Sequence, residues 1–236
     1  MVLGFCFRLR STDMKTVYTV ETIQAVEHFQ RLLGKIDRLR LPQRSRRDVE
    51  SILTRQISNE LDHYLPWQAR HGRRTAAVAL DIGKVFGLCP DELHHLKLAA
   101  YLHDIGLLMV PQVRWGGDSP ETYDAVQKHP RLGATLLEPF AFLREASLLL
   151  AHHHERWDGT GYPYGIRGRF IPLGARILSL ADAFDAIYVP GVCDHVTRNF
   201  IALRILRVSA GTQFDPELVN VLWSCFDPSR RQHASL

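Results

Sequence analysis

Apolar residues recur every three or four positions along most of the chain, and nowhere alternate with polar ones for long enough to make a strand. Val20, Ile23, Val26, Phe29, Leu33 and Ile36 form the first stripe, which predicts an amphipathic helix over residues 20–39 broken by Pro42. Val49, Ile52, Leu53, Ile57, Leu61 and Tyr64 form a second, closed by Pro66. The character then changes. Residues 75–86 are rich in Ala, Val and Ile at helical spacing, with Gly87 as a C-terminal stop. Pro90 at a first-turn position, backed by Asp91 and Glu92, opens a tightly packed helix that delivers His103-Asp104 at its end. Further helices are predicted from Ser119 to His129, from Arg131 to Leu137, from Glu145 to His154, from Pro172 to Tyr188 and from Thr197 to Ser209. A last one follows a cap at Asp215-Pro216. The pattern predicts an all-α protein. Residues 1–66 form an N-terminal helical segment, read as a hairpin with a regulatory or dimerising role or as extra packing. Residues 67–236 form the main domain.

The bulk composition bounds this picture without redirecting it. A chain of 236 residues, 46% hydrophobic and 23% charged, supports a substantial core, and no apolar run is long enough to span a bilayer. The apolar opening at residues 1–8 lacks a basic leader and a cleavage site, so neither a signal peptide nor membrane insertion is expected. Cys6, Cys89, Cys193 and Cys225 show no CxxC spacing and read as reduced thiols of a cytoplasmic protein. The net charge is +4, with Arg38, Arg40, Arg44, Arg46 and Arg47 crowded together. No aromatic interleaving accompanies that run. It reads as a solvated linker rather than a nucleic-acid surface.

The chemistry lies in the imidazoles and carboxylates. His152, His153 and His154 stand beside Glu155, and a turn-rich loop follows through Asp158, Gly159, Thr160, Gly161, Tyr162 and Pro163. Beyond it, Asp182 and Asp185 are three residues apart on an apolar helix and face the same side. Upstream lie His71, His103, Asp104 and His129. Among His71, His103-Asp104, His129, His153-His154 and Asp182, each step from one group to the next is 24 to 32 residues, about one helix and one loop, so a bundle can gather them around one point. Burying so many such groups together without a cation would be costly, which points to a metal.

His71, then His103-Asp104, then Asp182 resemble the H…HD…D pattern of the HD phosphohydrolase superfamily. His129, the His153-His154-Glu155 run and Asp158 to Pro163 resemble its HD-GYP subfamily of bacterial cyclic di-GMP phosphodiesterases. The likeness runs from about His71 to Leu218 and includes Ile171 to Ile177 and Gly211 to Pro216. It implies an HD-type multi-helix bundle preceded by the N-terminal hairpin. It also implies two divalent transition metals per chain. One would be held by His71, His103, Asp104 and Asp182, and Asp104 would bridge to a second completed by His129, His153 and His154. Mixed imidazole and carboxylate ligands suit iron or manganese, and also zinc or nickel. His103 and Asp104 are thereby the implied catalytic centre of a phosphodiesterase that uses a bridging hydroxide to open cyclic di-GMP to pGpG or GMP. His152 falls out of the ligand register. Glu155, Asp158, Gly161, Tyr162, Pro163 and Asp185 read as groups that orient ligands or meet substrate. Arg74, one turn beyond His71, reads as either a phosphate contact or an ion-pair partner. Some relatives bind a third metal through a Glu four residues before the first His. Trp67 stands there, so two metals are expected. A homodimer through the N-terminal helices and a diguanylate-cyclase-type protein are the implied macromolecular partners, beside a cyclic di-GMP-like nucleotide.

Two departures bear on substrate. The family motif HDIGK carries a lysine where this chain has Leu107, and losing one such phosphate donor typically costs about 10²–10³ in rate. Arg114 and Arg73 are the cations that could replace it. The second departure lies at residues 187–196, which read IYVPGVCDHV in place of an arginine-containing, guanine-binding segment. Three functions therefore stay open: a working phosphodiesterase with reduced rate, a metal-bearing cyclic di-GMP receptor or protein-interaction module, and a phosphohydrolase for another phosphoester. The Trp115 to Ser119 run resembles a cyclase GGDEF motif only superficially.

Overall fold

The computed structural model describes residues 20–110, 124–187 and 195–226. Nine α-helices are bounded within them: α1 (Val20–Asp37), α2 (Gln43–Tyr64), α3 (His71–Phe86), α4 (Pro90–Leu102), α5 (His129–Leu137), α6 (Arg144–Ala151), α7 (Leu173–Ala186), α8 (His195–Val208) and α9 (Pro216–Phe226), beside four short 3-10 turns and a helical stretch at 124–126. No strand forms among the described residues beyond a single bridge between Ala210 and Phe214. The all-α class read from the sequence is the observed one. None of the described helices is long and apolar enough to cross a membrane. Most of the helix expected from Ser119, Arg114 and the stretch around Pro190-Gly191 lie outside the described residues.

The bundle is built around α4. Leu96, Leu98, Ala99, Ala100 and Leu102 are all fully buried, so the C-terminal half of this helix is enclosed by its neighbours, while its first turn, with Asp91 and Glu92, stays exposed. It packs against α2, α3, α6 and α7, while α3 also packs against α7 and α9. Local signals explain the boundaries. Gly87 ends α3 in the left-handed conformation at φ 96°, which costs glycine nothing. Glu92 accepts from the Cys89 N–H at the start of α4, and Asp215 accepts from the Glu217 N–H at the start of α9. The N-terminal helices are not set apart from this core. Ala25, Phe29, Leu33 and Ile36 of α1 and Ile57 and Leu61 of α2 belong to the same buried cluster as α3, α4 and α7.

One boundary differs from expectation in a way that matters. The helix predicted to run through His154 ends at Ala151, and His152 to His154 form a turn. Successive helical residues point about 100° apart, so three histidines on one continuous helix could not aim neighbouring rings into one site. Leaving the helix at Ala151 lets His153 and His154 face the same way. The next helix begins at Leu173 and ends at Ala186, slightly inside the predicted 172–188.

Candidate metal centre

His71 is the first residue of α3, and the chain enters it through a sharp turn. Arg70 adopts a left-handed φ of 62°, the sole non-glycine to do so among the described residues, and its N–H donates to Asp62 Oδ2 at 3.0 Å. A side chain held in this region costs of order 1 kcal/mol and persists where surrounding contacts fix it. Nothing in the sequence singled out Arg70 or Asp62. His103 caps the C-terminus of α4, Asp104 follows it, and His129 begins α5. Gly106, in the short helical turn after Asp104, lies against α5. A Cβ there would run into the His129 carbonyl and the Gly133 N–H. Only glycine allows the two backbones to approach so closely, and that approach brings His129 up to Asp104. Asp182 and Asp185 project from one face of α7, as their spacing predicted.

All seven expected ligands converge. His71, His103 and Asp104 offer donor atoms within 4.8 Å of one another, as do His129, His153 and His154. Asp182 Oδ1 lies 2.9 Å from His71 Nε2 and 3.8 Å from His103 Nε2, which places it with the first group. Asp104 stands between the two. Its Oδ2 is 3.0 Å from His103 Nε2 and 3.9 Å from His71 Nε2, while its Oδ1 is 3.4 Å from His129 Nε2. His152 is elsewhere, with Nδ1 on the Leu148 carbonyl and its ring against Tyr164.

The donor chemistry fits a metal. His129 and His153 direct Nδ1 at the carbonyls of Val126 and Leu150, which can only accept, so the proton sits on Nδ1 and Nε2 carries a lone pair. Those two Nε2 atoms face each other at 3.4 Å. Neutral lone pairs so placed repel, and a cation between them would reverse the sign. His103 Nε2 is buried and has no hydrogen-bond partner although it lies close to Asp104.

The electrostatics divide the site. Burial lowers the pKa of His129, His153 and His154, and the neighbouring imidazoles lower it further for the last two, that of His154 to about 3. Burial also opposes charge on His71, but the hydrogen bonds it donates to Asp182 and Asp185 prevail and raise its pKa to about 10. Burial resists ionisation of Asp104, yet His103, His129 and His71 hold its carboxyl well below the usual range.

The loop after the histidines is held by its own polar groups. Buried Glu155 accepts from the N–H groups of Tyr164 and Ile166 at 2.7 and 3.1 Å. Asp158 accepts from the N–H and hydroxyl of Thr160 and from Arg156. Trp157 and Asp158 donate backbone N–H bonds to Gln213 and Thr212, tying this loop to the segment ahead of α9. A Cβ on Gly161 would strike the Arg156 N–H and the His154 carbonyl. Tyr162 stacks on His154 with centroids 4.9 Å apart and 29° between planes, and Pro163 follows it in the same turn.

Above the metal-facing atoms lies a cavity of about 580 Å³, within the size range of small-ligand sites. Tyr162 and His154 line one part of its wall, and Leu107 and Val126 another. Leu107 is 6% exposed and packs with Leu65, just after α2, and Val110 in a small apolar cluster that also takes in Val126. Arg73 is exposed and outside the cavity wall, so it does not stand in for the family lysine. Arg74 lines the cavity but pairs with Asp185. Leu65 and Val126 carried no signal in the sequence beyond ordinary core periodicity.

Residues 55–218 match the family described as HD domain. The cyclic di-GMP phosphodiesterase response regulator RpfG of Xanthomonas campestris is 34% identical over 154 residues, 63% of this chain and 41% of the relative. The 3'3'-cGAMP-specific phosphodiesterase 2 of Vibrio cholerae is 28% identical over 195 residues, 80% of this chain and 37% of the relative. The crystal structure of a cyclic GMP-AMP specific phosphodiesterase from V. cholerae shares the fold with a TM-score of 0.61 at 23% identity, covering 76% of this chain and 49% of that one. The chain spans less than half the length of each of these proteins.

Proposed function

The chain belongs to the HD domain family, and we propose that within it the chain is an HD-GYP-type, metal-dependent phosphodiesterase that opens cyclic di-GMP to pGpG or GMP. The observation that carries this reading is the position of Asp104, whose two carboxylate oxygens face opposite clusters of donors. A single structural metal needs no such shared carboxylate. Two metals that act on one phosphodiester do. The relatives named for cyclic di-GMP and 3'3'-cGAMP supply the substrate class.

His71, His103, Asp104 and Asp182 would hold one ion and Asp104, His129, His153 and His154 the other, a mixed donor set that suits iron or manganese and also accepts zinc or nickel. When bound, such a pair supplies an activated water and neutralises the phosphoryl oxygens of an in-line displacement. The carbonyls of Ala100, Val126 and Leu150 fix the rings of His103, His129 and His153 with Nε2 toward the ions. Glu155 holds the loop so that Tyr162 presents its ring beside His154, where a nucleobase or ribose can lie against it. Leu107 offers the scissile phosphate no positive charge, so the reaction would depend more heavily on the metals than in relatives with a lysine there.

One observation favours a second reading. Leu107 is built into an apolar cluster with Leu65 and Val110, which suits a chain that retains the dinucleotide without rapid turnover. Incubating the Mn²⁺- or Fe²⁺-loaded protein with cyclic di-GMP and separating the products by chromatography distinguishes the two. The phosphodiesterase reading expects pGpG or GMP, abolished in His103→Ala and Asp104→Ala. Tight binding with the dinucleotide recovered intact would establish the receptor reading instead. Hydrolysis of 3'3'-cGAMP alone would move the substrate.

A further inference from the structure

Four buried imidazoles point Nε2 at the candidate metals, but they are not held alike. His103, His129 and His153 each place Nδ1 on the backbone carbonyl three residues earlier, at 2.9, 2.7 and 2.6 Å. His71 does not. It heads α3, and its Nδ1 lies 2.7 Å from Asp185 Oδ2 on α7. Asp185 is itself gripped from α3. Arg74 Nε donates to Oδ1 at 2.7 Å and Nη2 to Oδ2 at 2.9 Å, while Nη1 donates to the Ala69 carbonyl at 2.9 Å. The planar guanidinium is thus fixed in a two-pronged pairing with a carboxylate that is 8% exposed.

We propose that Arg74 and Asp185 are positioning residues for His71, and that Arg74 serves this ligand rather than the substrate phosphate. The inference rests on the metal assignment made above, but not on the identity of the substrate. A carboxylate that accepts the Nδ1 proton fixes the ring and makes the opposite nitrogen a stronger donor than a carbonyl does. Such partners commonly matter 10–100-fold, by rough measure, in metal affinity or activity. Arg74 supplies what the buried Asp185 needs, since a desolvated carboxylate without a cation would be costly and would shift away. The geometry also couples helices: His71 and Arg74 are one turn apart on α3, and Asp182 and Asp185 one turn apart on α7.

The test uses the full chain, stripped of metal, with Mn²⁺ as the probe and no nucleotide present. In a two-step calorimetric titration, Asp185→Asn should weaken the step assigned to the His71 group by about 10–100-fold and leave the histidine-trio step within about twofold. Arg74→Ala should do the same, and Arg74→Lys should recover part of the loss. Circular dichroism and thermal melting verify folding. Should Arg74→Ala not fold, the near-isosteric Asp185→Asn and the charge-keeping Arg74→Lys decide the matter. Unchanged Mn²⁺ binding in Arg74→Ala with a raised KM for cyclic di-GMP would make Arg74 a phosphate contact and overturn the proposal. Equal weakening of both steps would overturn it too, as general damage. A chain that binds both ions as described but leaves cyclic di-GMP intact would sink the phosphodiesterase reading alone.

Discussion

The two halves of the site hold similar atoms and solve opposite electrostatic problems. In the half around His71 and His103, carboxylates outweigh burial, and the pKa of His71 is raised to about 10. In the half around His129, His153 and His154, burial and mutual repulsion win, and the rings are held neutral. The first half resembles a set of acids that already has a counter-charge in its own protons. The second is a set of lone pairs with nothing between them. Asp104 faces both, so a change there should be felt in each, while changes at the edges should be felt in one.

The largest effect is therefore expected at the join. Asp104→Asn keeps the shape and removes the charge, and should cut cyclic di-GMP hydrolysis by at least about 10²–10³ while weakening Mn²⁺ binding in both halves. Steady-state rates and a metal titration measure this; loss confined to one half would break the comparison.

A gain is expected at the cavity wall. Leu107→Lys should raise the hydrolysis rate about tenfold or more by restoring a phosphate donor. It should also lower stability by roughly 1–3 kcal/mol through disruption of the Leu65–Val110 contacts. An unchanged rate would mean that the wall does not limit turnover.

Acidity separates the halves without mutation. A proton held on His71 up to about pH 10 competes with a metal for Nε2, so affinity in that half should climb with pH, by up to about tenfold per unit, from neutrality until pH 10. The trio is already unprotonated at neutral pH, so its affinity should stay flat over the same range. Calorimetry in buffers of differing ionisation enthalpy would report the proton released in the first case alone. The smallest effect belongs to His152→Ala. With that ring turned to Leu148 and Tyr164, metal content and rate should stay within about twofold of the parent.

Much of this was legible in the residues, for identifiable reasons. Helical periodicity, the stop at Gly87, Pro90 in a first turn and the cap at Asp215 are local signals, and each appears where expected. The convergence of seven donors was foreseeable from their chemistry and their even spacing. What local pattern could not carry was orientation. The break at Ala151 follows from aiming two rings at one point, which is a tertiary demand. The left-handed Arg70, the close backbone approach at Gly106 and the engagement of Arg74 by Asp185 depend on segments tens of residues apart. Leu107 was visible as a departure, but only packing shows that it closes an apolar cluster rather than leaving a gap.

The most direct test of the two-part centre is to count the ions. Protein purified from cells, or reconstituted with Mn²⁺ and desalted, should contain about two transition-metal ions per chain by elemental analysis, with anomalous scattering placing them on either side of Asp104. A folded protein that holds one ion or none under those conditions would contradict the account.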